Sequence, residues 1–230
     1  MPEFIRLPQL KIFAPTPTEK ILFISGGRPP TLEWLLNCAA NIDRVWCIDH
    51  GIDTCRQAEI IPELLIGDLD SARSDSVDWA RAHNVTVEQH PVDKDFTDTQ
   101  LALRRLEQSD NPPFVILTGV FGGRLDHLYA TLFSCAQSPL KICLADQHEL
   151  IAFVRGGEAI RLHFDVRPFA LSLLPISNLC RGVSIDGVHW KLERAELSQA
   201  LPNAVSNRVE NDIVNVSIER GIVAVVLTFD

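Results

Sequence analysis

Two short acidic stretches carry the residue types from which a metal-dependent reaction is built: Gly67-Asp68-Leu69-Asp70-Ser71 and Asp93-Lys94-Asp95-Phe96-Thr97-Asp98. Carboxylates gathered in one place repel one another unless a cation sits among them. All-oxygen donors suit a hard ion such as Mg²⁺, which commonly bridges one or two carboxylates to substrate phosphates. The chemistry expected is a metal–nucleotide site. Each stretch also has a structural explanation. Asp68, Asp70 and Ser71 could simply satisfy backbone groups in a turn before a helix. Thr97 with Gln100 fits a capping box, in which Asp98 complements the positive end of the helix it opens. Two such stretches after two apolar runs favour chemistry over capping.

A third loop supports this. Gly119-Val120-Phe121-Gly122-Gly123-Arg124-Leu125-Asp126-His127 follows an apolar run; its glycines let backbone amides approach a phosphate, and a helix starting near Leu125 would offer its positive end. Arg124 adds a fork of donors. The loop is not a P-loop, since the G-K-[ST] ending is missing here and after Ser25. Further along, Trp190 stands among polar residues, and Ser206-Asn207 follow. A tryptophan can stack on a flat heterocycle whose edge Ser and Asn can read, although such rings are more often packed in a core or interface.

The elements that must position these groups follow from apolar patterning. Ile21 to Ser25, Val45 to Ile48, Leu64 to Ile66, Val85 to Val87 and Phe114 to Thr118 are short runs of strand length separated by helical segments. One such segment spans Ala58 to Ile61, stopped by Pro62. The alternation predicts a doubly wound, Rossmann-like parallel sheet, in which ligands bind beyond the carboxyl ends of the strands. Asp49 ends a strand in the same way as Asp68. From about residue 140 the texture becomes one of successive strands with glycine turns, and Val214, Val216 and Ile218 alternate with polar neighbours. The expected organisation is an irregular proline-bearing arm over residues 1–19, an α/β nucleotide- and metal-binding domain over 20–145, and an antiparallel β-sandwich over 146–230.

Bulk properties exclude some classes. With 46% hydrophobic and 22% charged residues and a formal charge of −9, the chain lacks the basic face of a phosphate-backbone binder, so nucleic acid is not an expected partner. No stretch reaches the roughly 20 apolar residues of a membrane helix, and the start lacks a secretion signal; no membrane association and a cytoplasmic location are expected. The six cysteines form no C-x-x-C pair and most fall in apolar runs, as small buried hydrophobes do.

Taken in order, the acidic loops, Gly122-Gly123-Arg124-Leu125-Asp126-His127, Asp186-Gly187 with Trp190, and Ser206-Asn207 resemble the thiamine pyrophosphokinase (thiamine diphosphokinase) family. The resemblance runs from about Ile21 to the C-terminus. It implies transfer of the pyrophosphoryl group of ATP to the hydroxyl of thiamine, giving thiamine diphosphate and AMP, with Mg²⁺ as cofactor. It also implies a homodimer with sites at the subunit interface. Carried onto this chain, the magnesium-binding and catalytic acids are Asp68, Asp70 and Asp98, with Arg124 beside them. Lys94, Thr97, Thr118, Gly119, Gly123, Arg124, Asp126 and His127 fall in the nucleotide-binding segments. Asp49, Trp190, Ser206 and Asn207 fall where the family holds thiamine. His50 stands where glycine is common in that family's loop. Alternatives to this reading are a non-catalytic sensor of a nucleotide or thiamine compound and a kinase of another small heterocyclic alcohol.

Overall fold

The structure is a computed structural model describing residues 4–14 and 19–230. In chain order it forms β1 (Phe4–Arg6), β2 (Leu10–Phe13), β3 (Lys20–Ile24), α1 (Leu32–Ala39), β4 (Arg44–Ile48), α2 (Gly51–Gln57), β5 (Leu64–Gly67) and α3 (Ser74–Ala82). There follow β6 (Thr86–Gln89), α4 (Asp98–Glu107), β7 (Phe114–Thr118), α5 (Leu125–Gln137) and β8 (Ile142–Ala145). The remainder is all strand: β9 (Glu149–Arg155), β10 (Ala159–Phe164), β11 (Ala170–Pro175), β12 (Leu179–Asp186), β13 (Leu192–Ser198), β14 (Ile213–Ser217) and β15 (Ile222–Thr228). Two compact units result, Pro17–Asp146 and Met1–Thr16 with Gln147–Asp230.

In the first unit the strands run parallel in the order β8-β7-β3-β4-β5-β6. Their continuous apolar runs are explained by burial: every residue of β5, β7 and β8 is buried, as expected of a sheet covered on both faces. Phe23 and Trp46, paired across β3 and β4, stack with ring centroids 5.4 Å apart. Burying each such large apolar side chain is worth roughly 1.5–3 kcal/mol. The chain lays down β3, β4, β5 and β6 to one side, then returns to place β7 and β8 on the other. The switch point therefore lies between β3 and β7, where an open α/β sheet has its ligand crevice.

Helix α2 does not occupy the segment expected from Ala58 to Ile61. It starts directly after β4, at Gly51, and ends at Gln57. The reason is close packing: a Cβ on Gly51 would lie 2.0 Å from the carbonyl oxygen of Ile24, so only glycine lets the helix turn tightly against β3. All six cysteines are buried, and burial pushes the Cys38 thiol up to about 12, which makes that thiol an inert packing group.

In the second unit, β1-β2-β10-β14-β12-β13 form one antiparallel sheet, and β15 pairs antiparallel with both β11 and β9. β10 and β11 show the alternation of a half-buried strand. The expected irregular arm is corrected here for the described residues 4–14. β1 and β2 are a hairpin whose second strand pairs with β10, and Ile5, Leu7, Leu10 and Ile12 are buried. Pro8 lies in the turn, bracketed by the reciprocal backbone bonds of Leu7 and Leu10; proline there suits a turn and leaves the strands intact. Residues 1–3 and 15–18 lie outside the described residues. Among the described residues no helix is long and apolar enough to cross a membrane.

Candidate functional site

The carboxyl ends of β3, β4, β5 and β7 converge on a cleft of about 890 Å³. Its floor is made by two glycine turns at the switch point. The Gly27 amide donates to the Gly119 carbonyl at 2.6 Å and the Ser25 amide to the Thr118 carbonyl at 2.9 Å. Gly119 has φ of +71°, and a Cβ there would lie 2.2 Å from the Ser25 carbonyl oxygen, so both conformation and contact require glycine.

One wall is acidic. The parallel register pairs Ile48 with Ile66, so the residues that follow, Asp49 and the Gly67-Asp68 pair, come out side by side. Asp49, Asp68 and Asp70 each place a carboxylate oxygen within 4.8 Å of the others. Gly67 permits the approach, since a Cβ on it would sit 3.0 Å from the Asp49 Cβ. Asp49 itself holds a left-handed backbone, φ +47°, with its amide bonded to the Ile66 carbonyl at 2.9 Å. Ser71 Oγ donates to Asp49 Oδ2, while Asp49 Oδ1 is buried without a hydrogen-bond partner. The Asp68 carbonyl accepts from Gln89 Nε2 at 3.2 Å, which ties the loop to β6.

The tightest acidic cluster is thus Asp49, Asp68 and Asp70, where the sequence led us to expect Asp68, Asp70 and Asp98. Asp98 enters the same cleft through a bridge. Lys94 Nζ donates to Asp68 Oδ2 at 2.7 Å and lies 3.3 Å from Asp98 Oδ1. The second distance is that of an ion pair, and Asp98 Oδ1 makes no hydrogen bond of good geometry. Thr97 caps α4, and the reciprocal bonds with Gln100 complete the capping box. The electrostatics follow the geometry. The Lys94 ammonium holds the Asp68 carboxyl below its ordinary range. The neighbouring charge of Asp68 raises Asp70, and burial raises Asp98. Three clustered carboxylates, one with an orphaned buried oxygen, fit a hard divalent cation held by oxygen ligands.

The opposite wall is the start of α5. Arg124, just before the helix, makes a bidentate pair with Asp126, Nε to Oδ1 at 3.1 Å and Nη2 to Oδ2 at 2.6 Å. The His127 amide donates to Asp126 Oδ1 at 3.0 Å. Arg124, Asp126 and His127 are exposed, and Gly123 lies with them on the cleft wall. Thr118 differs from expectation: it is fully buried with its hydroxyl unpartnered, so its side chain supports the floor and does not face the cleft.

Sequence reasoning missed Arg28 and Asp146. Asp146 is fully buried and accepts from Arg28 Nη2 at 2.6 Å, while the Arg28 amide donates to the Phe121 carbonyl at 2.8 Å. The pair anchors the loop that follows β7. Its signal was present: Asp146 ends an apolar run as Asp49 and Asp68 do.

In the second unit Trp190 is 57% exposed, set out for contact and not packed in the core. Asn207 holds its backbone at both ends, Oδ1 accepting from the Trp190 amide at 3.0 Å and Nδ2 donating to its carbonyl at 2.7 Å. Asn207, expected to read a ligand's edge, also fixes the tryptophan through both ends of its side-chain amide. His189 meets the indole edge-on at 4.7 Å between centroids, and Arg208 lies over the ring at 5.6 Å. Ser206 has φ of +58°, and its amide donates to Ser172 Oγ at 3.0 Å.

Residues 35–144 match the thiamin pyrophosphokinase catalytic domain, and residues 160–223 match the thiamin pyrophosphokinase vitamin B1 binding domain. The chain is 25% identical over 216 residues to thiamine pyrophosphokinase of Bacillus subtilis, covering 92% of this chain and 100% of that protein. It is 26% identical over 163 residues to thiamine pyrophosphokinase 2 of Arabidopsis thaliana, covering 67% of this chain and 61% of the plant protein. The crystal structure of the Bacillus subtilis enzyme superposes with a TM-score of 0.77 at 24% identity, covering 92% of this chain and all of that one. That of Candida albicans thiamin pyrophosphokinase gives 0.75 at 13% identity, covering 92% and 89%. With both of its matched domains belonging to one family and most of its length covered by them, the chain belongs to the thiamine pyrophosphokinase family.

Proposed function

We propose that this protein transfers the pyrophosphoryl group of ATP to the hydroxyl of thiamine, giving thiamine diphosphate and AMP. The observation that carries the reading is the convergence of Asp49, Asp68 and Asp70 with the Lys94–Asp98 pair at the edge of a cleft that Asp49, Lys94, Asp98 and Arg124 line. Attack by an alcohol on the β-phosphorus of ATP asks an enzyme chiefly to neutralise a crowded polyanion and to align two oxygens on opposite sides of phosphorus. Asp49, Asp68 and Asp70 would hold Mg²⁺. When bound, the ion supplies charge neutralisation and a template for the phosphate oxygens.

The chain's own groups do the rest. The Gly27 and Gly119 turns would bring backbone close to the phosphates, and the start of α5 presents a positive dipole end. Arg124 exchanges Asp126 for phosphate and stabilises charge appearing on the AMP leaving group; Lys94 and Thr97 complete that side, with Asp126 and His127 on the rim. Asp98 lines the cleft outside the tightest acidic cluster, and its carboxyl is raised by burial. Those properties suit it to accept the alcohol proton. Trp190, fixed by Asn207, offers a flat platform to the thiamine ring, with Ser206 alongside.

We read the two units as a doubly wound, Rossmann-like nucleotide- and metal-binding domain over 20–145 and a thiamine-binding β-sandwich over 146–230. We also infer a cytoplasmic homodimer with its sites at the subunit interface. In support of the dimer, apolar side chains lie exposed on both units: Leu125 and Tyr129 at 79% and 60%, and Phe169, Leu201 and Val205 at 72%, 67% and 48%. Such surface is normally covered by a partner.

Incubation of purified protein with ATP, thiamine and Mg²⁺, followed by chromatography of both products, tests the reaction. AMP and thiamine diphosphate are expected in equal amounts. ADP with thiamine monophosphate would overturn the pyrophosphoryl mechanism, and saturable binding without either product would mark a sensor.

A further inference from the structure

Lys94 occupies an unusual place for a surface cation. Its side chain is only 14% exposed, and the carboxylates it joins, Asp68 and Asp98, are 11% and 19% exposed. Each Asp68 oxygen accepts a hydrogen bond: Oδ2 from Lys94 at 2.7 Å and Oδ1 from the Asp70 amide at 3.3 Å. An ion bound among Asp49, Asp68 and Asp70 would therefore meet an ammonium already holding one of its ligands. Resting on the reading that these three acids hold a divalent cation, we infer that Lys94 is a tethered counter-ion: it keeps the two acidic loops together in the metal-free protein, competes with the cation for Asp68, and is released toward the phosphates when the cation binds.

Three physical arguments support this. Lys94 stands between Asp68 of one acidic loop and Asp98 of the other, at 2.7 and 3.3 Å; an ammonium there offsets the repulsion of two carboxylates brought this close and removes the tendency of the loops to spread. Partial burial keeps solvent from screening the pair as it would at an exposed site. Finally, lysine is a point charge on a flexible four-carbon stem, able to pivot between partners where a planar guanidinium would be fixed by its fork. The arrangement trades affinity for a formed site, so metal bound without nucleotide is weak and metal bound with triphosphate, which gives Lys94 a new partner, is favoured. Lys94 is a positioning residue in this account.

The test uses Mn²⁺ alone, titrated calorimetrically into the nucleotide-free protein. Lys94→Met keeps the stem and removes the charge. It is expected to bind Mn²⁺ at least about tenfold more tightly than wild type, from the loss of a like charge beside the ion, while its metal-free melting temperature falls. Equal or weaker Mn²⁺ binding by Lys94→Met, with wild type binding normally, overturns the counter-ion role and leaves the metal site standing. No Mn²⁺ binding by either protein overturns the metal site itself, and the inference with it. Should Lys94→Met not fold, wild type answers by NMR of its lysine ammonium groups: the Lys94 signal must move on addition of Mg²⁺ alone, and an unmoved signal contradicts the inference.

Discussion

Replacing Asp70 with asparagine should lower turnover by about a thousandfold or more and leave the metal-free melting temperature at or slightly above that of wild type. The two halves of this expectation come from the same geometry. Asp70 is exposed, and its carboxyl is raised because Asp68 lies beside it, with a smaller contribution from Asp49. A raised carboxyl is one whose charged form is disfavoured in the fold, so at neutral pH a neutral amide of the same shape relieves repulsion and removes no stabilising contact. The residue makes its contribution when a cation and a triphosphate occupy the cleft. Activity measured with saturating ATP and thiamine, alongside thermal unfolding, separates the roles. A large loss of stability with activity falling only in proportion would return Asp70 to the turn-forming role that its sequence context also allows.

Gly119→Ala should cost about 2–4 kcal/mol of stability in urea unfolding and abolish most activity. At φ of +71° an alanine is strained even in open space. Here space is also lacking: the new Cβ would fall 2.2 Å from the Ser25 carbonyl oxygen and 2.9 Å from its carbon, both backbone atoms of the facing turn. The turns after β3 and β7 would have to part, breaking the 2.6 Å bond between the Gly27 amide and the Gly119 carbonyl. Since these turns floor the cleft, stability and catalysis should fall together, unlike in Asp70→Asn. A change below about 0.5 kcal/mol, the size of an ordinary surface substitution, would show that the floor is more pliant than its packing implies.

The parallel strands were legible because burial on both faces leaves unbroken apolar runs, as in Phe114 to Thr118, and the half-buried strands because Ala159 to Phe164 alternate. What escaped the sequence were features set by neighbours distant in the chain. The hairpin of β1 and β2 was hidden by Pro8, which serves its turn. β12 and β13 have no clean period, because β13, LERAELS, lies at a sheet edge with most of its residues outside the core. Asp68, Asp70, Asp98 and Arg124 could be nominated from their types and their places after strands. The membership of Asp49 in the acidic cluster required the register of β4 on β5, which no local pattern states. Asn207 is similar: its type suggested ligand recognition, and only the fold of two loops 17 residues apart reveals that it grips the backbone of Trp190.

The central claim is that separate strand ends build one cation-centred triphosphate grip. Soaking crystals with Mn²⁺, thiamine and a non-hydrolysable ATP analogue and locating the metal by its anomalous scattering tests it most directly. A peak is expected about 2.0–2.3 Å from carboxylate oxygens of Asp68 and Asp70, in contact with the analogue's phosphates, with Asp49 adjoining. A peak held elsewhere on the chain, or phosphates lying away from these loops, would contradict it.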